Sequence, residues 1–157
     1  MRALVFSPDG SILYSGGTDG SIRAWSMSDG ALLLHFSFKP QANNIALSPD
    51  GELLASVYCS QGDADDCTKG GVAIWDTADG KMLKSLGDVA YAVAFSPDGG
   101  LLATGGGSHD SYLRFRYTAT WSTVGEIPSL VEQLAFSPDG HLLATADYET
   151  VTIWSIQ

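Results

Sequence analysis

Four copies of the tetrapeptide Ser-Pro-Asp-Gly recur along the 157 residues of this chain and constrain its fold more than any other feature. They lie at positions 7–10, 48–51, 96–99 and 137–140, so equivalent residues stand 41, 48 and 41 positions apart. An internal period near forty residues indicates a repeat architecture, in which each unit packs only against its neighbours. A chain of this kind more often presents a surface than houses a reaction.

Short apolar runs flank each tetrapeptide and recur in the same order in every unit. Runs of four to six residues bounded by Pro and Gly are too short for typical helices and predict buried strands, named a, b, c and d in chain order. The tetrapeptide links strands a and b, because Pro presets φ and Gly accepts the left-handed conformation that closes a hairpin. Strands a, b and c recur four times, whereas strand d recurs three times, at 31–38, 81–86 and 121–127.

The units resemble WD40 repeats, the blades of a β-propeller. The resemblance rests on strand a with its tetrapeptide, the Leu-Leu-Ala-Ser/Thr strand b, the Asp before strand c and the Trp that ends strand c. It implies an all-β fold of four-stranded antiparallel blades stacked radially, four in this chain, the last lacking its outer strand. We expect one array over residues 1–157, with blades of about 1–38, 39–87, 88–128 and 129–157.

The chain departs from the family pattern in its polar residues. Only Trp75-Asp76 is a true Trp-Asp pair, and the third unit has Arg116 at the Trp position, where Trp121 of the next strand is expected to fill part of the space. The family's Gly-His pair is missing, with Gly87-Asp88 as its nearest trace. Because family blades often hydrogen-bond that His to a Ser/Thr, an Asp and the Trp, we expect an incomplete network or one completed by water. The resemblance assigns structural roles to Trp25, Trp75, Trp154, Asp19 and Asp110.

Ring closure admits three interpretations. WD40 rings usually need about seven blades, within the general propeller range of about four to eight. The chain is part of a longer propeller protein, or two copies form an eight-bladed ring by two-fold symmetry, or the chain closes alone as a four-bladed ring. In the first two cases the apolar faces of the end blades are covered from outside the chain.

The resemblance also indicates where partners would bind. In WD40 propellers the loops between strands b and c, and between strand d and the next strand a, line one face where many partners dock. The residues at the entrance to strand a differ in chemistry while their neighbours repeat, which partner contact and ordinary surface drift explain equally well. Tyr91 is the strongest of them because aromatic residues anchor interfaces. The candidates are Arg2, Asn43, Tyr91 and Glu132 at the entrances, and Thr18 and His109 in the b–c loops.

An insertion at 59–70, between strands b and c of the second unit, carries both cysteines of the chain. Cys59 and Cys67 either close this loop as a disulfide or remain free thiols. Because no signal peptide is visible, free thiols and a cytoplasmic location are favoured, whereas a disulfide would indicate an extracellular protein.

Metal binding and catalysis find little support. Asp63, Asp65 and Asp66 are weak candidates for Ca²⁺, since the loop lacks the Gly and Glu of an EF-hand, and a solvated acidic loop is expected. No Ser lies in a Gly-x-Ser-x-Gly elbow, and the Gly-rich segment 105–109 precedes no helix that would bind phosphate. We therefore expect neither an enzyme nor a cofactor.

Composition narrows the partners further. The formal net charge of −10 argues against nucleic acid, which demands clustered Lys and Arg. The longest aliphatic stretch, 31–34, is far shorter than the roughly 20 residues of a membrane span. The sequence thus favours a non-catalytic scaffold for protein partners on the loop side of a propeller. The alternatives are a self-assembly module and a metal-dependent binder acting through the acidic insertion.

Overall fold

The computed structural model describes residues 2–37, 41–62, 67–107 and 109–156, with side chains for all of these except Ser37. Within them, fifteen strands form four antiparallel sheets in which strands consecutive in sequence are neighbours. The first sheet contains β1 (Ala3–Phe6), β2 (Ile12–Gly16), β3 (Ser21–Ser26) and β4 (Leu32–Ser37). The second contains β5 (Gln41–Leu47), β6 (Leu53–Gly62), β7 (Cys67–Asp76) and β8 (Met82–Leu86).

The remaining two sheets follow the same plan. The third contains β9 (Ala92–Phe95), β10 (Leu101–Gly105), β11 (Tyr112–Tyr117) and β12 (Thr123–Pro128). The fourth contains β13 (Gln133–Phe136), β14 (Leu142–Ala146) and β15 (Val151–Ser155). The predicted all-β fold of four repeated antiparallel sheets is confirmed, including a fourth sheet of three strands within the described ranges.

The Ser-Pro-Asp-Gly turns fold as their residue types predict. In the first turn, Gly10 has a φ of 72°, and its three equivalents also have positive φ. The Ser7 hydroxyl donates to Asp9 Oδ1 at 2.6 Å and accepts the backbone N–H of Ile12 at 2.9 Å. Hydrogen bonds from Ser7 and then from Ser11 lower the pKa of Asp9 to about 2. Each turn is therefore held by a hydroxyl and a charged carboxylate.

The sheets are arranged with strand a innermost. The first strands of consecutive sheets contact one another, β1 with β5, β5 with β9 and β9 with β13. In every sheet the strands follow in the order a, b, c, and in the first three sheets strand d comes next and lies at the opposite, outer edge. This is the radial stacking that the repeat pattern predicted.

Three apolar cores lie between consecutive sheets. In the first, Ile22 and Phe36 of the first sheet pack with Leu54 and Trp75 of the second. Phe36 meets Trp75 edge to face with ring centroids 5.9 Å apart. Consecutive residues of one strand point into different cores: Trp75 faces the first sheet, whereas Ile74 faces the third. Each fully buried side chain of this size contributes roughly 1.5–3 kcal/mol, so the cores hold neighbouring sheets together.

Candidate partner-binding face

The entrances to strand a and the b–c loops lie at one end of the sheets, called here the loop face. The backbone N–H groups of Arg2, Tyr91 and Glu132 donate to carbonyls at the ends of β2, β10 and β14, at 2.8, 2.7 and 2.8 Å. Because those strand ends lead into the b–c loops, entrance residues and loops share one end. The Ser-Pro-Asp-Gly turns lie at the other end, and the six candidates from the sequence are brought to the loop face.

Two of the entrance residues have buried oxygens without a hydrogen-bond partner in the described part of the chain. Asn43 lies where the register between β5 and β6 shifts from Ala42 to Asn44, so it is the unpaired residue of a β-bulge. Its side-chain Oδ1 and the Oε1 of Glu132 are both buried and without such a partner. Burying a polar atom without a hydrogen bond costs free energy, and a donor from outside would remove that cost.

Tyr91 is half-buried and is already used within the fold. Its hydroxyl accepts the backbone N–H of Cys67 at 3.3 Å, which links β9 to the hairpin of the preceding sheet. The Asn44 amide donates to the Tyr91 carbonyl at 3.2 Å. A Cβ at Gly107 would lie 1.8 Å from the Tyr91 ring, so the ring occupies space that only glycine leaves open. The structure thus gives Tyr91 a positioning role on this face.

The other candidates are more open. Arg2, Thr18 and His109 are exposed at the same end of the sheets. Beside Thr18, the Asp19 carboxylate accepts the Ser21 hydroxyl at 2.8 Å and pairs with the Arg23 guanidinium at 2.9 Å. These bonds hold the carboxylate charged and keep the pKa of Asp19 well below its usual range, with the Ser21 hydroxyl as the largest cause. Asp19 therefore fixes the start of strand c.

The described parts of the insertion, 59–62 and 67–70, extend the strands of the second sheet. Strands β6 and β7 are ten residues long, and four residues of each lie in the insertion, with Cys59 opposite Gly70 and Gly62 opposite Cys67. Cys59 and Cys67 form a disulfide with their Cα atoms 5.7 Å apart, so the preference for free thiols differs from the structure. The physical reason is that strand pairing continues past Cys59 with two register shifts, and these bulges bring together two cysteines that do not stand opposite each other in the ladder.

The metal-binding candidates belong to the acidic part of this insertion. Asp63, Asp65 and Asp66, the weak calcium candidates, lie outside the described residues. Among the residues that are described, no group of three or more His, Cys, Asp or Glu side chains could hold a metal ion. Over the same ranges the structure has no helix with the length and apolar character needed to cross a bilayer.

The third sheet contains a network of charges next to the loop face. Arg116 is 6% exposed, and its Nη1 lies 2.5 Å from Asp88 Oδ2. Arg114 makes two hydrogen bonds to Asp110, at 2.7 and 2.8 Å, and one to Glu126 at 2.8 Å. The Asp110 carboxylate is the largest cause that raises the pKa of Arg114. Asp88, at the trace of the missing Gly-His pair, is therefore the partner of a buried guanidinium.

In the other three sheets, a single hydrogen bond between side chains joins strands b and c. The indole N–H donates at 2.9 Å to a strand-b hydroxyl in the pairs Trp25–Ser15, Trp75–Ser56 and Trp154–Thr145. In the third sheet, Arg116 Nη1 takes this place with a longer bond of 3.4 Å to Thr104. The indole–hydroxyl part of the family network is present, and the third sheet replaces the indole with an ion pair.

Trp121 compensates for the missing strand-c indole. It packs against the core between the second and third sheets, so the expectation that it fills part of that space is confirmed. It lies in the turn before β12, not on that strand, and has a φ of 61°. Its backbone N–H donates to the Tyr117 carbonyl at 2.7 Å. The backbone N–H groups of Gly30 and Gly80 donate to the corresponding carbonyls in the equivalent turns. A non-glycine residue in this conformation costs roughly 1–2 kcal/mol, which the packing of the indole offsets.

The repeated sheets, their turns and their loop face define a propeller-type repeat protein. The family model described as "WD domain, G-beta repeat" matches residues 1–26, 80–115 and 122–155. These segments make up more than half of the chain, which therefore belongs to the WD40 family.

Two curated relatives match part of the chain. It is 36% identical over 98 residues to "Cross-pathway control WD-repeat protein 2" of Flammulina velutipes and 32% identical over 98 residues to "Small ribosomal subunit protein RACK1y" of Oryza sativa subsp. japonica. Each match covers 59% of this chain but only 28% and 26% of the relatives, so the chain spans about a quarter of their length.

A solved structure shows the same fold. The "Kuenenia stuttgartiensis Hydrazine Synthase" matches 98% of this chain and 45% of that chain, with a TM-score of 0.80. The two sequences are 20% identical, so this likeness concerns the fold alone.

Proposed function

We propose that this chain is a non-catalytic protein-interaction scaffold that binds a protein partner on its loop face. One observation carries the proposal: the entrance residues Arg2, Asn43, Tyr91 and Glu132, which differ in chemistry, stand at one end of the four inner strands. The neighbouring residues repeat because they pack between sheets. Arg2, Asn43 and Glu132 are outside that constraint and are available to match a partner, whereas Tyr91 is held by the fold and positions this face.

The chemistry of this face favours a partner that donates hydrogen bonds. Asn43 and Glu132 each present a buried oxygen that has no donor within the described residues. The net charge of −10 attracts basic surfaces and increases their association rate. We therefore propose a protein partner whose contact segment carries Lys or Arg, with neither nucleic acid nor membrane as the ligand.

The curated relatives support a role in assemblies. The rice relative is, by its name, a protein of the small ribosomal subunit. A component of that kind works by contact with other macromolecules. A scaffold role for this chain agrees with that name and with its family.

A charge-reversal pair tests the proposal. Glu132→Lys changes the loop face, and Glu52→Lys makes the same charge change at the exposed Ser-Pro-Asp-Gly end. Tagged wild-type chain and both variants, each checked for folding by circular dichroism, are compared by quantitative mass spectrometry of bound proteins from the native host. We expect partners that Glu132→Lys loses and Glu52→Lys keeps. Identical partner profiles for the two variants would contradict binding on the loop face.

The disulfide also bears on location. Disulfides persist in oxidising compartments and are rare in the cytosol. The Cys59–Cys67 bond therefore supports the extracellular alternative over the cytoplasmic location favoured from the sequence. Thiol alkylation of the protein from its native source tests this proposal, because quantitative labelling of both cysteines would indicate a reducing compartment.

A further inference from the structure

The first sheet presents an apolar surface that the described residues leave uncovered. This first-sheet face consists of Leu4, Phe6, Leu13 and Trp25, which the strand register brings together on one side of the sheet. Leu4 is 58% exposed and Phe6 is 56% exposed. The equivalent of Leu4 in the second sheet, Ile45, is only 7% exposed because the first sheet covers it.

The fourth sheet presents a second apolar surface on its other side. This last-sheet face consists of Ala135, Ala144, Val151 and Ile153. Val151 is 72% exposed and Ile153 is 58% exposed, whereas the two equivalent residues of β7 are fully buried against the third sheet. The last-sheet face therefore has the composition of a surface that elsewhere in this chain is covered by the next sheet.

The two faces are complementary in kind. All three internal interfaces join the Ala- and Ile-bearing side of one sheet to the Trp-bearing side of the next, or, in the third sheet, to its Arg116 side. The last-sheet face is an Ala- and Ile-bearing side, and the first-sheet face is a Trp-bearing side. Each exposed face is thus suited to pack on the other, as the internal faces already do.

A contact between turns repeats with the same polarity. A Cβ on Gly51 would lie 3.2 Å from Pro8, one on Gly99 3.3 Å from Pro49, and one on Gly140 3.6 Å from Pro97. At every internal interface, the turn Pro of one sheet therefore lies beside the turn Gly of the next. Gly10 has no atom within 4 Å of such a Cβ, and Pro138 is the one turn Pro for which the described chain supplies no following turn Gly.

The chain does not bury these two faces against each other by closing into a ring on its own. In a closed four-bladed ring, Phe6 and Ile153 would be buried against each other's sheets, yet both are more than half exposed. The four-bladed closure considered from the sequence is therefore wrong for this structure. Two copies together hold eight sheets, which is within the typical propeller range.

We infer that the last-sheet face of one copy packs on the first-sheet face of a second copy, so that two chains form a closed ring through two identical head-to-tail interfaces. Pro138 of each copy then meets Gly10 of the other. A head-to-tail contact closes into a ring when the rotation permits and otherwise propagates. This surface is separate from the loop face, so failure of either proposal leaves the other standing.

Single-charge variants of the two faces test this pairing. Phe6→Glu introduces a charge on the first-sheet face, and Ile153→Glu introduces one on the last-sheet face, at positions of nearly equal exposure. Leu83→Glu is the matched control, since Leu83 is 53% exposed on the outer strand β8. Masses are measured by light scattering and by sedimentation across a concentration series, with and without added salt because both chains are acidic.

We expect the wild type and Leu83→Glu to show twice the chain mass of 16.5 kDa. Each face variant alone should dissociate at least about 30-fold more readily, as for loss of an interface hot spot. An equimolar mixture of Phe6→Glu and Ile153→Glu should form a heterodimer, because one intact interface remains between them.

Other outcomes overturn the inference. A wild-type chain that stays monomeric shows that a second copy does not cover the faces. Dimers that persist in Ile153→Glu but not in Phe6→Glu show that two first-sheet faces pair with each other. Dimers that persist in both variants show that another surface associates, and open-ended polymers of the wild type exclude the closed ring.

Discussion

Replacing Trp75 and Trp25 by Ala separates the contribution of packing between sheets from that of the polar link within a sheet. Both indoles donate to a strand-b hydroxyl at 2.9 Å, so the two substitutions remove the same hydrogen bond. They differ in what faces the ring. Trp75 is 3% exposed and meets Phe36 edge to face, whereas Trp25 lies on the uncovered first-sheet face and is only partly buried.

The magnitudes follow from these environments. Truncating a buried Trp to Ala costs roughly 3–5 kcal/mol, which includes the aromatic pair and the cavity left behind. At Trp25 the main loss is one hydrogen bond, about 1 kcal/mol, with little packing to lose. We therefore expect Trp75→Ala to reduce the free energy of unfolding by about 2 kcal/mol or more beyond Trp25→Ala.

Urea unfolding followed by far-ultraviolet circular dichroism is the appropriate assay, because fluorescence would change with the number of Trp residues. Both substitutions are made in the Ile153→Glu background, so that a second copy cannot cover Trp25. Equal slopes against urea would show that the two variants unfold the same amount of structure. If the two free energies agree within about 0.5 kcal/mol, the ring of Trp75 is not the packed core residue that the structure shows.

The remaining predictions concern charges, the disulfide and metals. Arg116→Leu removes the ion pair with Asp88, which is 16% exposed and keeps only a 4.0 Å contact with Arg114, so it should cost somewhat less than the roughly 3–5 kcal/mol of a fully buried pair in urea unfolding, and adding Asp88→Asn should restore part of this loss. Hydrogen bonds lower the pKa values of the turn aspartates, Asp9 to about 2, so their stabilisation is complete above about pH 4 and is lost as the pH falls towards 2. A melting temperature that stays constant from pH 5 to pH 2 would contradict this. Reducing the disulfide, or replacing Cys59 by Ser, should lower stability by about 2–3 kcal/mol for a loop of this length, measured against untreated protein. Neither Ca²⁺ nor Zn²⁺ should raise the melting temperature of the wild type, and a calcium-dependent rise abolished by Asp65→Asn would establish the site that we do not expect.

Local chemistry made the sheets predictable. The Ser-Pro-Asp-Gly turn is closed by interactions between neighbours in sequence, such as the bond from Ser7 to Asp9 and the positive φ of Gly10. Apolar runs on either side then have one way to pair, as antiparallel strands. The strand order and the repeat were therefore readable from residue types and spacing.

The candidate site was only partly predictable. The sequence named the entrance positions, but the bulge at Asn43 and the link from the Tyr91 hydroxyl to Cys67 depend on contacts with other strands. The structure of the insertion was also not predictable from the sequence. The sequence favoured free thiols, whereas the described parts of the insertion continue the pairing of β6 and β7 and are joined by a disulfide.

The exchange of Arg116 and Trp121 shows the same division. Their positions in the repeat indicated that Trp121 fills the space of the strand-c Trp that Arg116 replaces, since a core of fixed size needs an aromatic ring. The structure decided the means: Trp121 takes a turn position held elsewhere by glycine, and Arg116 finds Asp88, which lies 28 residues earlier in the chain.

Sequence alone determined the repeat, the strands and their turns, because each depends on interactions within a few residues. Tertiary structure decided which apolar faces are covered, which charges meet and which faces at the two ends stay open. Burial and ion pairing depend on distances between residues of different sheets, and those distances exist only once the sheets have stacked.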